Sequence, residues 1–126
     1  MENRVKGRER VLIVDDNLSL AENIAEILQA EGCTTDVAGS AEEALPKALT
    51  QEFGVVVTDL RLPGMDGIEL LRTLGRQRMN VVTIVISAYI DDGTALAAKE
   101  VGACFLEKPL NLAALSRFVL GGRASA

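Results

Sequence analysis

Five times along the chain a short, largely β-branched apolar run is followed by a segment of helical period, and this alternation limits the possible folds more than any other feature. Val11 to Val14, Val55 to Val57 and Val81 to Ile86 show no polar alternation, as strands covered on both faces must. Thr34 to Val37 and Ala103 to Leu106 are weaker runs whose composition suits the edges of the same sheet. Between the runs, Leu20, Ile24, Ile27 and Leu28 keep one face of a first helix, and Ala41, Ala44, Leu45 and Ala48 that of a second. Ser40 and Glu43 form a capping box for the second helix, and Asp66 with Gly67 opens a third that carries Leu70, Leu71 and Leu74. A fourth helix is expected over Asp92 to Val101, and Leu112, Leu115 and Val119 mark a fifth. Pro46 has no N–H to give the second helix and crowds the carbonyl of Glu42, so a kink or a late helix start is expected there.

Strands that alternate with helices through short loops imply right-handed βαβ units and a parallel sheet covered on both faces. The expected fold is α/β, a doubly wound (βα)5 flavodoxin-like three-layer sandwich with a parallel five-stranded sheet of order 2-1-3-4-5. In such a sheet the ligand site lies outside the carboxyl ends of the strands, near the switch point between strands 1 and 3. The domain is expected over 10–120, with 1–9 as an N-terminal tail, 121–126 as a C-terminal tail or the start of a linker, and no second domain. Arg4, Lys6, Arg8 and Arg10 could touch an acidic partner but read more simply as a solvated tail.

The 126 residues, 48% of them hydrophobic, suffice for one sizeable core. No apolar run approaches the ~20 residues that span a bilayer, and MENRVKGRER lacks the apolar stretch of a signal peptide. A cytoplasmic protein without membrane contact is expected. Thirteen Lys and Arg against 18 Asp and Glu give a net charge of -5, which argues against direct nucleic-acid contact. Cys33 and Cys104 fall in segments on opposite edges of the expected sheet. Strands spaced about 4.8 Å apart put them beyond the ~7 Å reach of a disulfide, so two buried thiols are expected. The absence of histidine excludes imidazole chemistry and leaves carboxylates, hydroxyls and amines.

Where each run stops, a reactive group stands: Asp15 and Asp16 after the first, Asp59 after the third, Ser87 after the fourth and Lys108 after the fifth. The topology brings all five to one rim. Three carboxylates gathered there cannot all stay ionised without a cation, so the cluster predicts a bound hard metal and a lysine partner. Mg²⁺ suits oxygen ligands and keeps several waters. Singly, each residue has a plainer explanation. Asp15 or Asp16 could cap the first helix, Asp59 could lead a turn into Leu62, Pro63 and Gly64, Ser87 could end a strand, and Lys108 could be a surface charge. Together they are harder to explain away, because four strands deliver complementary groups to the same end of one sheet.

From about Arg10 to Leu120 the chain resembles the receiver domains of two-component response regulators, a CheY-like superfamily. The motifs are VLIVDDN (Val11 to Asn17), VVVTDLRLPGMDG (Val55 to Gly67), VISAY (Val85 to Tyr89) and FLEKP (Phe105 to Pro109), in family order and spacing. The resemblance implies that Asp59 is the phosphoacceptor, taking a phosphoryl group from a histidine kinase or histidine phosphotransfer protein in a Mg²⁺-dependent reaction. It implies Asp16 as a direct metal ligand, Asp15 as a neighbour acting through water, and the Arg61 backbone carbonyl as a further ligand. Lys108 and the Ser87 hydroxyl would each meet a phosphoryl oxygen, and Ala88 leaves room for the group. Arg61 and Tyr89 would flank the path of the hydrolytic water. Phe105 resembles the family's switch aromatic, with plain core packing as the alternative. Pro109 suggests a cis peptide bond that aims the lysine inward.

The resemblance further implies a switch in the face made by the fourth helix, fifth strand and fifth helix, read by a downstream effector domain or protein. A monomer or weak homodimer is expected, the fifth helix being short before Gly121 and Gly122. FLEKP, without the charged pattern of winged-helix regulators on the last two helices, points to receivers of enhancer-binding regulators or hybrid kinases. Three rivals remain. A pseudo-receiver, an interaction module never phosphorylated, would normally have lost part of the acidic cluster, the hydroxyl or the lysine. A flavin carrier would need a hydroxyl-rich phosphate loop where this chain has DDNLS, and more aromatics than 3%. A phosphatase would need a general acid where Arg61 stands. No enzyme activity on outside substrates is expected, only slow self-dephosphorylation.

Overall fold

The computed structural model describes residues 10–77, 81–88, 91–108 and 111–121, the side chains of 112, 118, 120 and 121 excepted. Its elements run β1 (Arg10–Val14), α1 (Leu18–Ala30), β2 (Thr34–Ala38), α2 (Ala41–Thr50), β3 (Val55–Asp59), α3 (Gly67–Arg76), β4 (Val82–Ser87), α4 (Asp92–Glu100), β5 (Cys104–Glu107) and α5 (Leu112–Gly121). The strands form one parallel sheet in the order β2-β1-β3-β4-β5. The α/β, doubly wound flavodoxin-like sandwich read from the alternating runs is the fold observed. Expectations for the tails at 1–9 and 122–126, for Tyr89 and for a cis bond at Pro109 lie outside the described residues.

Side-chain alternation along the central strands builds two cores, one on each face. Leu12, Val14, Val56 and Val85 pack with Ala44, Leu70, Leu74 and Ala98 under α2, α3 and α4. Val11, Ile13, Val55, Val57, Ile84 and Ile86 pack with Ile24, Leu28, Leu115 and Val119 under α1 and α5. Each fully buried valine, leucine or isoleucine among them is worth about 1.5–3 kcal/mol. The central strands are therefore the rigid part, and whatever their ends carry is held in place by both cores. β2 and β5 are less buried, as edge strands are.

Backbone pairing continues past the apolar runs. The Asp15 N–H donates to the Ala38 carbonyl at 3.0 Å, the Leu60 N–H to Ile86 at 2.9 Å, and the Lys108 N–H to Ser87 at 2.8 Å. Asp59 and Ser87, read from sequence as lying beyond their strands, are instead the last residues of β3 and β4. Hydropathy changes before the ladder does, because the rim is polar but still paired.

Three local expectations need correction. α2 starts at Ala41 under the Ser40 cap and runs through Pro46, so there is no late start. Pro46 and Glu42 are both exposed, and the carbonyl deprived of a partner sits where water can serve it. In the capping box, the Ser40 hydroxyl accepts from the Glu43 N–H, while the Glu43 carboxylate accepts from Gly39 rather than from Ser40. No disulfide joins the two cysteines, as expected, but only Cys33 is buried; Cys104, on an edge strand, is half-exposed.

Candidate functional site

Asp15 directly follows β1 and is nearly buried, and its Oδ1 accepts from the Asn17 N–H at 2.9 Å. The helix cap is Asn17, whose side chain accepts from Leu20. Neither Asp15 nor Asp16 is spent on capping, so both carboxylates are available to the rim. Asp16 is exposed, and Asp59, at the end of β3, is 9% exposed. Carboxylate oxygens of Asp15, Asp16 and Asp59 lie within 4.8 Å of one another. From across the sheet, the Lys108 ammonium reaches to 3.4 Å from Asp59 Oδ2. Ser87 is buried on the neighbouring strand end, and the exposed Ala88 follows it.

This is an unbalanced site, with three carboxylates facing one ammonium. Burial pushes the Asp15 carboxyl above its ordinary range; the Asn17 N–H opposes this, the Asp59 charge adds to it, Lys108 offsets part and Asp16 adds a little more. A proton or a cation relieves that strain. The donor set is all oxygen, as a hard cation prefers. Oxygens on one Mg²⁺ at about 2.1 Å stand no more than about 4.2 Å apart. The carboxylates would have to draw closer to share an ion, and their all-oxygen donor set fits the metal.

Two residues not singled out from sequence position the Asp59 backbone. The Thr58 hydroxyl, buried, donates to the Asp59 carbonyl at 2.9 Å. Gly67 packs against the same carbonyl, with a side-chain Cβ there falling 2.4 Å from the oxygen. Its N–H closes the β3–α3 loop by donating to Leu60 at 2.9 Å. The signal for Gly67 was present as the glycine after the Asp66 cap, but it reads as a helix start until the neighbouring strand is in place.

The Arg61 N–H makes a long contact, 3.4 Å, with Asp59 Oδ1. The Arg61 side chain borders a cleft of about 690 Å³ between the β3–α3 loop and the start of α4, with Asp91 also lining it. The Asp91 carboxyl is held below its ordinary range by the Thr94 N–H and hydroxyl, with Arg61 assisting. Phe105, in register with Val85, is half-buried against the α2, α3 and α4 core.

Residues 11–119 match the family model of the response regulator receiver domain, and the chain belongs to that family. It is 42% identical over 100 residues to the transcriptional regulatory protein FixJ of Rhizobium meliloti, covering 79% of this chain and 49% of that protein. It is 38% identical over 96 residues to the DNA-binding response regulator MtrA of Mycobacterium tuberculosis, covering 76% of this chain and 42% of that one. The chain thus spans less than half the length of these curated relatives. Among solved structures, the receiver domain of Francisella response regulator 1452 superposes with a TM-score of 0.85 at 31% identity, over 93% of this chain and 99% of that one. A response regulator receiver protein from Pseudomonas putida gives 0.83 at 32% identity, over 91% and 98%. Among the described residues no helix is long and apolar enough to cross a membrane.

Proposed function

We propose that this receiver domain accepts a phosphoryl group on Asp59 from a phosphohistidine of a histidine kinase or histidine phosphotransfer protein. The observation that carries the reading is one carboxylate, Asp59, gathered with Asp15 and Asp16 within 4.8 Å and faced by Lys108 at 3.4 Å. Asp15, Asp16, Asp59 and the Arg61 backbone carbonyl would hold Mg²⁺. When bound, the ion supplies charge neutralisation for the equatorial phosphoryl oxygens and for the crowded carboxylates.

An Asp59 carboxylate oxygen attacks phosphorus in line; the new O–P bond forms as the donor's P–N bond breaks, and the bonding pair leaves with the imidazole. Lys108 neutralises a phosphoryl oxygen, and the Ser87 hydroxyl donates to another. Movement of Ser87 toward the group lets Phe105 turn inward, so the face of α4, β5 and α5 changes as a population shift. A downstream effector domain or protein reads that face. The receiver unit itself touches neither nucleic acid nor membrane and works in the cytoplasm as a monomer or weak homodimer. Its net charge of -5 supports the first of these. Because Arg61 offers no usable proton, the acyl phosphate decays slowly by self-hydrolysis and no outside substrate is turned over.

Calorimetric titration with Mg²⁺ tests the site. One ion should bind per chain, and Asp16→Asn should abolish binding while the protein stays folded. Absence of Mg²⁺ uptake by the wild type, or uptake indifferent to Asp16, would overturn the proposal and favour a non-phosphorylated interaction module.

A further inference from the structure

α2 begins with two adjacent glutamates that do different work. The Glu43 carboxylate folds back onto the Gly39 N–H at 2.9 Å and completes the helix start. Glu42 turns the other way and leaves its own element. Its Oε2 accepts from the Met65 N–H at 3.2 Å, near the end of the loop between β3 and α3. The same oxygen lies only 2.6 Å from where a Cβ at Gly64 would be, and Gly64 has φ +76°. The carboxylate therefore rests against bare backbone that only a glycine presents at that turn.

The loop begins at Leu60, tied to β4, and ends at Gly67, tied back to Leu60. Between these anchors it carries Arg61, whose N–H meets Asp59 and whose carbonyl is assigned to the metal. Leu62 and Met65 pack that loop onto the core it shares with Ala41, Ala44 and Ala48 of α2, and Glu42 adds a hydrogen bond from α2 to the loop backbone.

We propose that Glu42 is a positioning residue for the metal and phosphoacceptor site: by holding the Met65 N–H it fixes the β3–α3 loop, and with it the Arg61 carbonyl. This rests on the reading of the acidic rim as the Mg²⁺ site. Glu42 touches neither metal nor phosphoryl group and acts through the loop backbone.

The test compares Glu42→Ala and Glu42→Gln with the wild type in the full chain, using Mg²⁺ titration and NMR hydrogen exchange at the Met65 amide. Glutamine keeps an oxygen acceptor and loses the charge. Glu42→Ala should weaken Mg²⁺ binding roughly three- to tenfold, as loss of one hydrogen bond predicts, and speed Met65 exchange by a similar factor. Glu42→Gln should restore most of both. Residue 42 is exposed, so both variants should unfold at temperatures close to the wild type. Unchanged Mg²⁺ affinity in Glu42→Ala overturns the proposal. So does Glu42→Gln as weak as Glu42→Ala, which would mean that the charge acts through space. If the wild type bound no Mg²⁺ yet Met65 exchange still depended on Glu42, the strut would stand and the reading of the rim would fail.

Discussion

The Lys108 ammonium lies 3.4 Å from Asp59 Oδ2, although 49 positions separate them in the chain. β4 stands between their strands, so the lysine reaches across a strand end to find the carboxylate. The Lys108 backbone is pinned independently, by its N–H to the Ser87 carbonyl. Main-chain position and side-chain charge are thus set by different bonds.

Removing the charge alone should therefore leave the rim standing. Lys108→Ala is expected to accept phosphoryl groups from a small donor ten- to a hundredfold more slowly, since one charged hydrogen bond is worth about 1.5–3 kcal/mol. Once phosphorylated, it should fail to shift the amide resonances of β5 and α4. Full-sized shifts in this variant would show that the lysine does not couple the two.

Asp15 gives a stability test. Burial raises its pKa above the unfolded value, so the folded state holds that proton more tightly than the unfolded chain does. The contribution is fully present below the ordinary carboxylate value of about 3.9 and is lost as pH rises through the elevated folded value. At neutral pH the ionised side chain is a burden on the metal-free protein. Asp15→Asn keeps an acceptor for Asn17 and removes the charge. Its Tm without metal should exceed that of the wild type at pH 7, the difference should shrink toward pH 4, and Mg²⁺ should narrow it by stabilising the wild type. A variant less stable than the wild type at pH 7 without metal would contradict this.

The contact of Gly67 with Asp59 predicts an unequal pair in one helix. Gly67→Ala drives a methyl into the Asp59 carbonyl and should cost about 1–3 kcal/mol by overpacking, with slower phosphorylation. At the exposed Gly75 a Cβ meets nothing within 4 Å. Gly75→Ala should stabilise the protein by about 0.5–1 kcal/mol through helix propensity. Urea denaturation checks both; equal effects would mean that the close approach at Gly67 is not rigid.

Much of this was legible in the chain itself, for physical reasons. Val55 to Val57 lack polar alternation because both faces of β3 are covered, and that one pattern implies a parallel sheet with its site at the strand ends. Asp15, Asp16, Asp59, Ser87 and Lys108 were visible because each marks the end of an apolar run. What escaped depends on neighbours distant in sequence. Thr58 looks like a polar strand residue until its hydroxyl is seen bonding the carbonyl of Asp59. Glu42 looks like a solvated helix charge until Met65 is folded beside it. At Pro46 local propensity suggests a kink or a late helix start, yet the capped start at Ser40 and the buried alanines of α2 outweigh one missing hydrogen bond, and the helix begins at Ala41.

The most direct measurement is intact mass after incubation with acetyl phosphate, with and without Mg²⁺. A single phosphoryl group should be added, only in the presence of the ion, and should be absent in a folded Asp59→Asn variant. An unmodified wild type in Mg²⁺, or the same added mass in Asp59→Asn, would contradict this.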